Sequence, residues 1–192
     1  MMLDTAQAGQ HLKAGEKLIK RNTFLEGLYQ AQLGFRYYYN QDLEKSKMAY
    51  GKADSALQKY HVKESYTILS DVWNNLAVIE QLEGRDDNYT NFLINKAIPN
   101  AEKANDKGRT ASLYSSLGLG FMNLEQYNEA IFYLKKAEEI LIKKPKESYR
   151  LVSVWNRLAE NYLIQDKLGE AKKTLDQLAL KINEDVVKDQ NG

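Results

Sequence analysis

The six residues VWNNLA at 72–77 return at 154–159 as VWNRLA, 82 positions later. Midway between them, at 113–118, stands LYSSLG. Trp73, Tyr114 and Trp155 are therefore spaced by 41 and 41, as are Leu76, Leu117 and Leu158, and the small residues Ala77, Gly118 and Ala159. A fixed period of this length restricts the chain to stacked copies of one supersecondary unit, each burying a face that it cannot bury alone. An upstream copy, QAQLGFRY at 30–37, sets Leu33 and Gly34 at 43 residues before Leu76 and Ala77. Four copies result.

Each copy is followed by a second pattern. Tyr127, Ala130, Leu134 and Ala137 recur at i, i+3, i+7 and i+10, an apolar stripe on one helix face, and Leu168, Ala171, Leu175 and Leu178 repeat the offsets. Leu43, Ser46, Tyr50 and Ala53 do the same in the first copy. With two prolines in 192 residues, long segments are free to be helical, and each unit reads as a helical hairpin. The predicted layout is a leading helix at 3–21 with the stripe Ala8, Leu12, Gly15 and Ile19, hairpins at about 26–60, 67–104, 109–143 and 148–184, and a fraying polar tail at 185–192. The leading helix either caps the stack or is half of a repeat. Pro99 predicts a kink or an early stop in the second helix of the second hairpin. The turn EGRDDN of that hairpin is expected to be longer than its counterparts.

These residues resemble the tetratricopeptide repeat (TPR), which pairs a large residue, Leu-Gly and an aromatic on a first helix with Ala, aromatic and Ala on a second. The third unit, Tyr114, Leu117, Gly118, Phe121, Tyr127, Ala130, Leu134 and Ala137, matches closely. The second departs, with Glu80 in the aromatic position and Tyr89 in a small one. The period exceeds the family's 34 by about one helical turn on each of two helices. The longer repeat is similar to those of bacterial regulatory TPR proteins. The resemblance implies an all-α, right-handed superhelical solenoid forming a single domain over 1–192. It also implies a concave groove lined by first helices, where a protein or an extended peptide would bind.

By that resemblance the groove would hold Phe35, Tyr38, Tyr39, Asn74, Val78, Gln81, Ser115, Leu119, Met122, Asn156 and Glu160. Asn74, Ser115 and Asn156 form a polar row, and a carboxamide can serve both the C=O and the N–H of a peptide backbone. Peptide-sensing members of the family, including bacterial pheromone receptors, use asparagines in this way. Three consecutive tyrosines, 37–39, span about 200° of a helix and cannot share one buried stripe. Tyr37 is expected in the core, and Tyr38 or Tyr39 in the groove as a rigid anchor. Members that clamp a chaperone's C-terminal carboxylate carry Lys and Arg at groove positions. Here Ala31, Asn74, Ser115 and Asn156, and Phe35, Val78, Leu119 and Glu160, include neither, which disfavours that role.

Other chemistries find little support. The net charge of +1 gives no footprint for nucleic acid or an anionic membrane, and without cysteine there is no disulfide, Cys-type zinc site or thiol nucleophile. His11 and His61 stand apart from any metal-ligand spacing, so neither a metal nor another cofactor is expected. GLGFMN at 118–123 imitates a phosphate loop, but its glycines fall within a helical pattern. Asn88-Tyr-Thr90 fits a glycosylation sequon, which carries meaning only with export. The chain as given has no signal peptide or membrane span and reads as cytoplasmic, or extracytoplasmic if it is a piece of an exported protein. The reading is therefore a non-enzymatic binding module. The alternatives are the sensor portion of a larger bacterial signalling protein, with a histidine kinase or DNA-binding domain attached, and an assembly scaffold.

Overall fold

The computed structural model describes residues 23–144 and 147–190, with side chains as far as Asn183. The leading helix expected at 3–21, with His11, lies outside the described residues. Among the described residues there is no strand, and the chain runs through α1 (Thr23–Tyr39), α2 (Leu43–Leu57), α3 (Lys63–Leu82) and α4 (Asp86–Phe92). A π-helical turn (Leu93–Ala97) then joins α4 to α5 (Ile98–Lys103), followed by α6 (Lys107–Asn123), α7 (Tyr127–Leu141), α8 (Ser148–Ile164) and α9 (Leu168–Gln190). Two compact units divide at Asn105 and Asp106, each holding two hairpins. Helices begin three or four residues before the expected starts in the first two hairpins and two before in the third. Local capping contributes at the third, where Asp106 accepts the Arg109 amide at 3.0 Å ahead of α6.

All four hairpins turn in the same way. Three residues separate the helices in each, so the second turn is not longer than the others. The middle residue is left-handed every time: Gln41 (φ 60°), Gly84 (φ 75°), Glu125 (φ 59°) and Asp166 (φ 56°). The third turn residue donates its amide back to the carbonyl of Tyr37, Glu80, Phe121 or Tyr162, at 2.8–2.9 Å. These four carbonyls belong to the repeat's aromatic position, where the second hairpin carries Glu80. The backbone closes the turn whichever side chain is there, so the substitution leaves its length unchanged.

The small residues of the first helices admit large residues of the second. A Cβ on Gly34 would lie 2.6 Å from the Tyr50 ring, and one on Gly118 would lie 2.6 Å from Leu134 Cγ. Ser46 donates to the Gly34 carbonyl at 2.8 Å across the first contact. In the first unit Ala31, Tyr50, Ala53, Val72 and Ile79 form a buried cluster. In the second, Leu134, Ala137 and Leu141 of α7 pack with Leu151, Val154, Trp155 and Leu158 of α8.

Pro99 neither ends nor breaks its helix. Proline has no N–H and its ring crowds the carbonyl four residues back, and the π turn just ahead of it widens the backbone by one residue. The Ile98 amide reaches the Leu93 carbonyl, five residues earlier. The last helix also exceeds expectation, continuing through Gln190 where a frayed tail was predicted. Its stripe is narrower than predicted: Ala171 is buried and Leu178 packs on the core, but Leu168 and Leu175 are exposed.

Candidate functional site

Aromatics of the repeated hexapeptide reach backwards along the chain. Trp73 on α3 donates its indole N–H to Asp54 on α2 at 2.8 Å, and Trp155 on α8 donates to Glu138 on α7 at 2.6 Å. Glu138 is almost fully buried and also receives Lys135 at 2.7 Å. Each tryptophan therefore ties its hairpin to the second helix of the hairpin before it. The one letter that differs between the two hexapeptides does similar work. Asn75 donates to the Tyr50 hydroxyl at 2.9 Å, while Arg157 donates to the Ser115 hydroxyl and carbonyl at 2.6 and 3.0 Å. Sequence reasoning missed these bonds, although Asp54 and Glu138 stand at one repeat position, each the same distance beyond the first stripe residue, Ser46 or Ala130.

The predicted groove residues separate into three groups. Phe35 and Tyr39, four residues apart on α1, are 53% and 68% exposed, and Asn156 and Glu160 on α8 are also exposed. Asn74, Val78, Gln81, Leu119 and Met122 are half-buried; Gln81 reaches Asp86 at 3.4 Å, and Met122 packs on the second unit's core. Ser115 and Tyr38 stand differently. Ser115 is buried with its hydroxyl taken by Arg157, so the expected row of three open polar residues is not formed. Tyr38 packs against the Ala31–Tyr50 cluster, whereas Tyr37, expected in the core, is half-buried with Lys45 5.8 Å over its ring. The buried face of α1 runs through Gly27, Gln30, Ala31 and Gly34, and Tyr38 continues it one turn further.

The departure at Glu80 is an ion cluster. Its carboxylate, buried in place of the aromatic, accepts Arg85 Nε and Nη2 at 2.6 and 2.7 Å and Asn88 Nδ2 at 2.6 Å. The Arg85 guanidinium, opposed by burial and helped by Asn88, holds the Glu80 carboxyl down at about 2. Glu83 accepts Lys47 of α2 at 3.0 Å and also pairs with Arg85. Since Asn88 is committed to Glu80, the Asn88-Tyr-Thr90 sequon has a structural use within the fold. Tyr89, in the small position, is buried.

Cations cover aromatic rings beside the hairpins. Lys96 lies 5.1 Å over Trp73, and Lys136 lies 5.3 Å over Tyr114 and 4.7 Å over Phe132. The two lysines are 40 residues apart, not 41, which is the one-residue slip that the π turn introduces. A concavity of about 530 Å³ on the first unit is lined by Glu26, Met48, Gly51, Lys52, Ser55 and Ala56. None of the predicted groove residues lines it. Among the described residues no group of three or more His, Asp or Glu is placed to hold a metal ion. No helix among them is long and apolar enough to cross a membrane.

No protein-family model matches this sequence, and no curated protein matches it. Solved structures do. BtubC (BKLC) from P. vanneervenii superposes with a TM-score of 0.76 at 18% identity, covering 93% of this chain and 72% of that one. The apo form of RapI gives 0.80 at 14% identity over 98% of this chain and 68% of its own. The nearly identical TPR-like repeats of a kinesin light chain from Podosopora anserina give 0.70 at 16%, covering 96% and 85%. The fold of this chain is that of TPR-like helical repeats.

Proposed function

We propose that this chain is a non-enzymatic module that binds a protein or an extended peptide segment on the faces of its first helices. The observation that carries the reading is the exposure of Phe35 and Tyr39 on one face of α1, two large aromatic surfaces open to solvent in a chain with a well-filled core. Aromatics of this kind bring a large apolar body at low conformational cost, and tyrosine adds a polar tip. Val78 on α3 adds half-buried apolar surface, and the half-buried Asn74 carboxamide can meet a peptide backbone. On the second unit, Leu119 and Met122 offer apolar surface, with Asn156 and Glu160 as open polar groups and Ser115 held behind them by Arg157. A neutral to apolar segment fits this lining better than a highly charged one. Nucleic acid and membrane are not its partners in this reading, and no cofactor is involved.

The test compares capture of binding partners from source lysate by the wild-type chain and by a Phe35→Ala/Tyr39→Ala variant of unchanged helicity. Loss of a wild-type partner in the variant supports the reading. Retention of every partner removes the α1 face from it. A second reading, the regulatory portion of a larger signalling protein, draws on the fold shared with aspartyl phosphate phosphatase F from Bacillus subtilis. That superposition has a TM-score of 0.75 at 16% identity, and this chain spans 44% of that one. Sequencing the native reading frame on both sides tests it, since a kinase or DNA-binding domain in frame is the expected result.

A further inference from the structure

We propose that the open face of α9 is covered by the same face of a second copy of this chain, the two helices antiparallel, with Lys172 of each beside the partner's Asp176. Leu168, Leu175 and Ile182 recur every seven residues, lie within an arc of about 40° on the helix, and are 62%, 42% and 42% exposed. The counterparts of Leu175 and Ile182 on α7, 41 residues earlier, are Leu134 and Leu141. Those two are 0% and 1% exposed, because they pack with Leu151, Val154 and Trp155 of α8. α9 thus repeats an apolar face that α7 buries against the next first helix, and leaves it open.

Two departures argue against a further first helix as the occupant. Ala53 and Ala137, both fully buried, are small residues of their stripes, and Leu178 stands in their place on α9. Asp54 and Glu138 accept the indole N–H of the next first helix, and Ala179 replaces them. α9 therefore lacks both the close approach and the acceptor with which α2 and α7 seat the helix that follows. The α1 helix of another copy fits no better. At the positions of Leu151 and Trp155 it carries Glu26 and Gln30, and the contact would set a carboxylate against leucine and isoleucine.

The face does complement itself. On the side away from the buried Ala171 and Thr174, Lys172 and Asp176 lie about 60° and 100° round the helix from Leu175. Both are exposed, and neither takes an ion pair among the described residues. Along the axis Lys172 lies about 4.5 Å before Leu175 and Asp176 about 1.5 Å after it. When two copies meet antiparallel at Leu175, the two-fold axis keeps these edges on one side. Each lysine then falls about 3 Å along the axis from the partner's Asp176, and Leu168 of each copy meets the partner's Ile182. This inference stands apart from the binding face, because Phe35 and Tyr39 take no part in it.

Sedimentation equilibrium on the full chain tests it, with circular dichroism to show that each variant keeps its helicity. Wild type is expected to form a dimer with a dissociation constant of about 10 µM, the strength of a small interface. Leu175→Glu, at an exposed position, should weaken it at least about a hundredfold. Lys172→Asp and Asp176→Lys each bring like charges together and should each weaken it by about tenfold. Mixed in equal amounts, those two variants should regain the wild-type affinity as a heterodimer, since every charge then faces its opposite. Wild type that stays monomeric at about 200 µM overturns the proposal and leaves the face to a different protein. A dimer indifferent to Leu175→Glu overturns it as well, as do charge variants that gain nothing on mixing. Assemblies larger than a dimer that Glu26→Leu strengthens overturn it in favour of contact between α9 and the α1 of another copy.

Discussion

At the scale of single residues, the repeat is held by a few buried polar groups whose loss should be measurable. Trp155→Phe keeps the ring and removes only the N–H to Glu138. A hydrogen bond to a buried carboxylate contributes about 2 kcal/mol, and urea denaturation should show a loss of that size. Trp73→Phe should lose less, about 1 kcal/mol, because Asp54 is half-buried and water can replace the indole. Glu80 makes stability depend on pH. Its folded-state value of about 2 lies below the ordinary 4.5, so its contribution is full above about pH 4.5 and is lost as pH falls toward 2. Discounting for the partly exposed Arg85, the contribution is about 2 kcal/mol. Glu80→Gln should flatten the stability profile between those two pH values. A slope unchanged by the substitution would assign it to other carboxylates.

At the scale of elements, the second hairpin tests how register is kept. A π turn accommodates one residue more than an α-helix does, so removing one exposed residue from it restores the α-helix without rotating the residues downstream. Deletion of Asn95 combined with Pro99→Ala, which returns the missing N–H, should therefore cost less than about 1 kcal/mol. Deletion of exposed Lys52 from regular α2 would rotate Ala53 and Leu57 by about 100° out of the core and should unfold the hairpin. Circular dichroism and urea melts separate the two outcomes. This element also marks where the sequence was legible. Trp73, Tyr114 and Trp155, with the small residues four positions on, carry the hairpin fold openly because close packing fixes their size. The π turn escaped because an inserted residue changes the period by one, less than the two-residue variation already present between the first and second copies. The indole bonds escaped because Asp54 and Glu138 differ in length and lie 19 and 17 residues away, so no local pattern joins them to a tryptophan. For the proposed binding face, a one-residue rotation decides between Tyr37 and Tyr38, and the stripe through Gly34 shows Tyr38 to be the one that packs on the core only when the whole buried face of α1 is seen.

At the scale of the whole molecule, the division into two compact units should appear in how the chain unfolds. Stability in a repeat protein is a sum of local terms and nearest-neighbour interfaces, so a lesion is felt most where it is made. The chain has two tryptophans, one in each unit: Trp73 bonds within the first and Trp155 within the second. Replacing either one by Phe leaves a single fluorophore that reports one unit. Into each of these backgrounds Gly118→Val is introduced, which drives a side chain into Leu134 in the second unit. Overpacking of this kind costs about 2 kcal/mol. The transition reported by Trp155 should lose that amount, and the transition reported by Trp73 less than half of it. Equal losses would mean that the chain unfolds as one cooperative block, so that a ligand held by Phe35 and Tyr39 would stabilise both units together. Unequal losses would confine its stabilisation mainly to the first, a difference that the same two fluorophores can read once a partner is in hand.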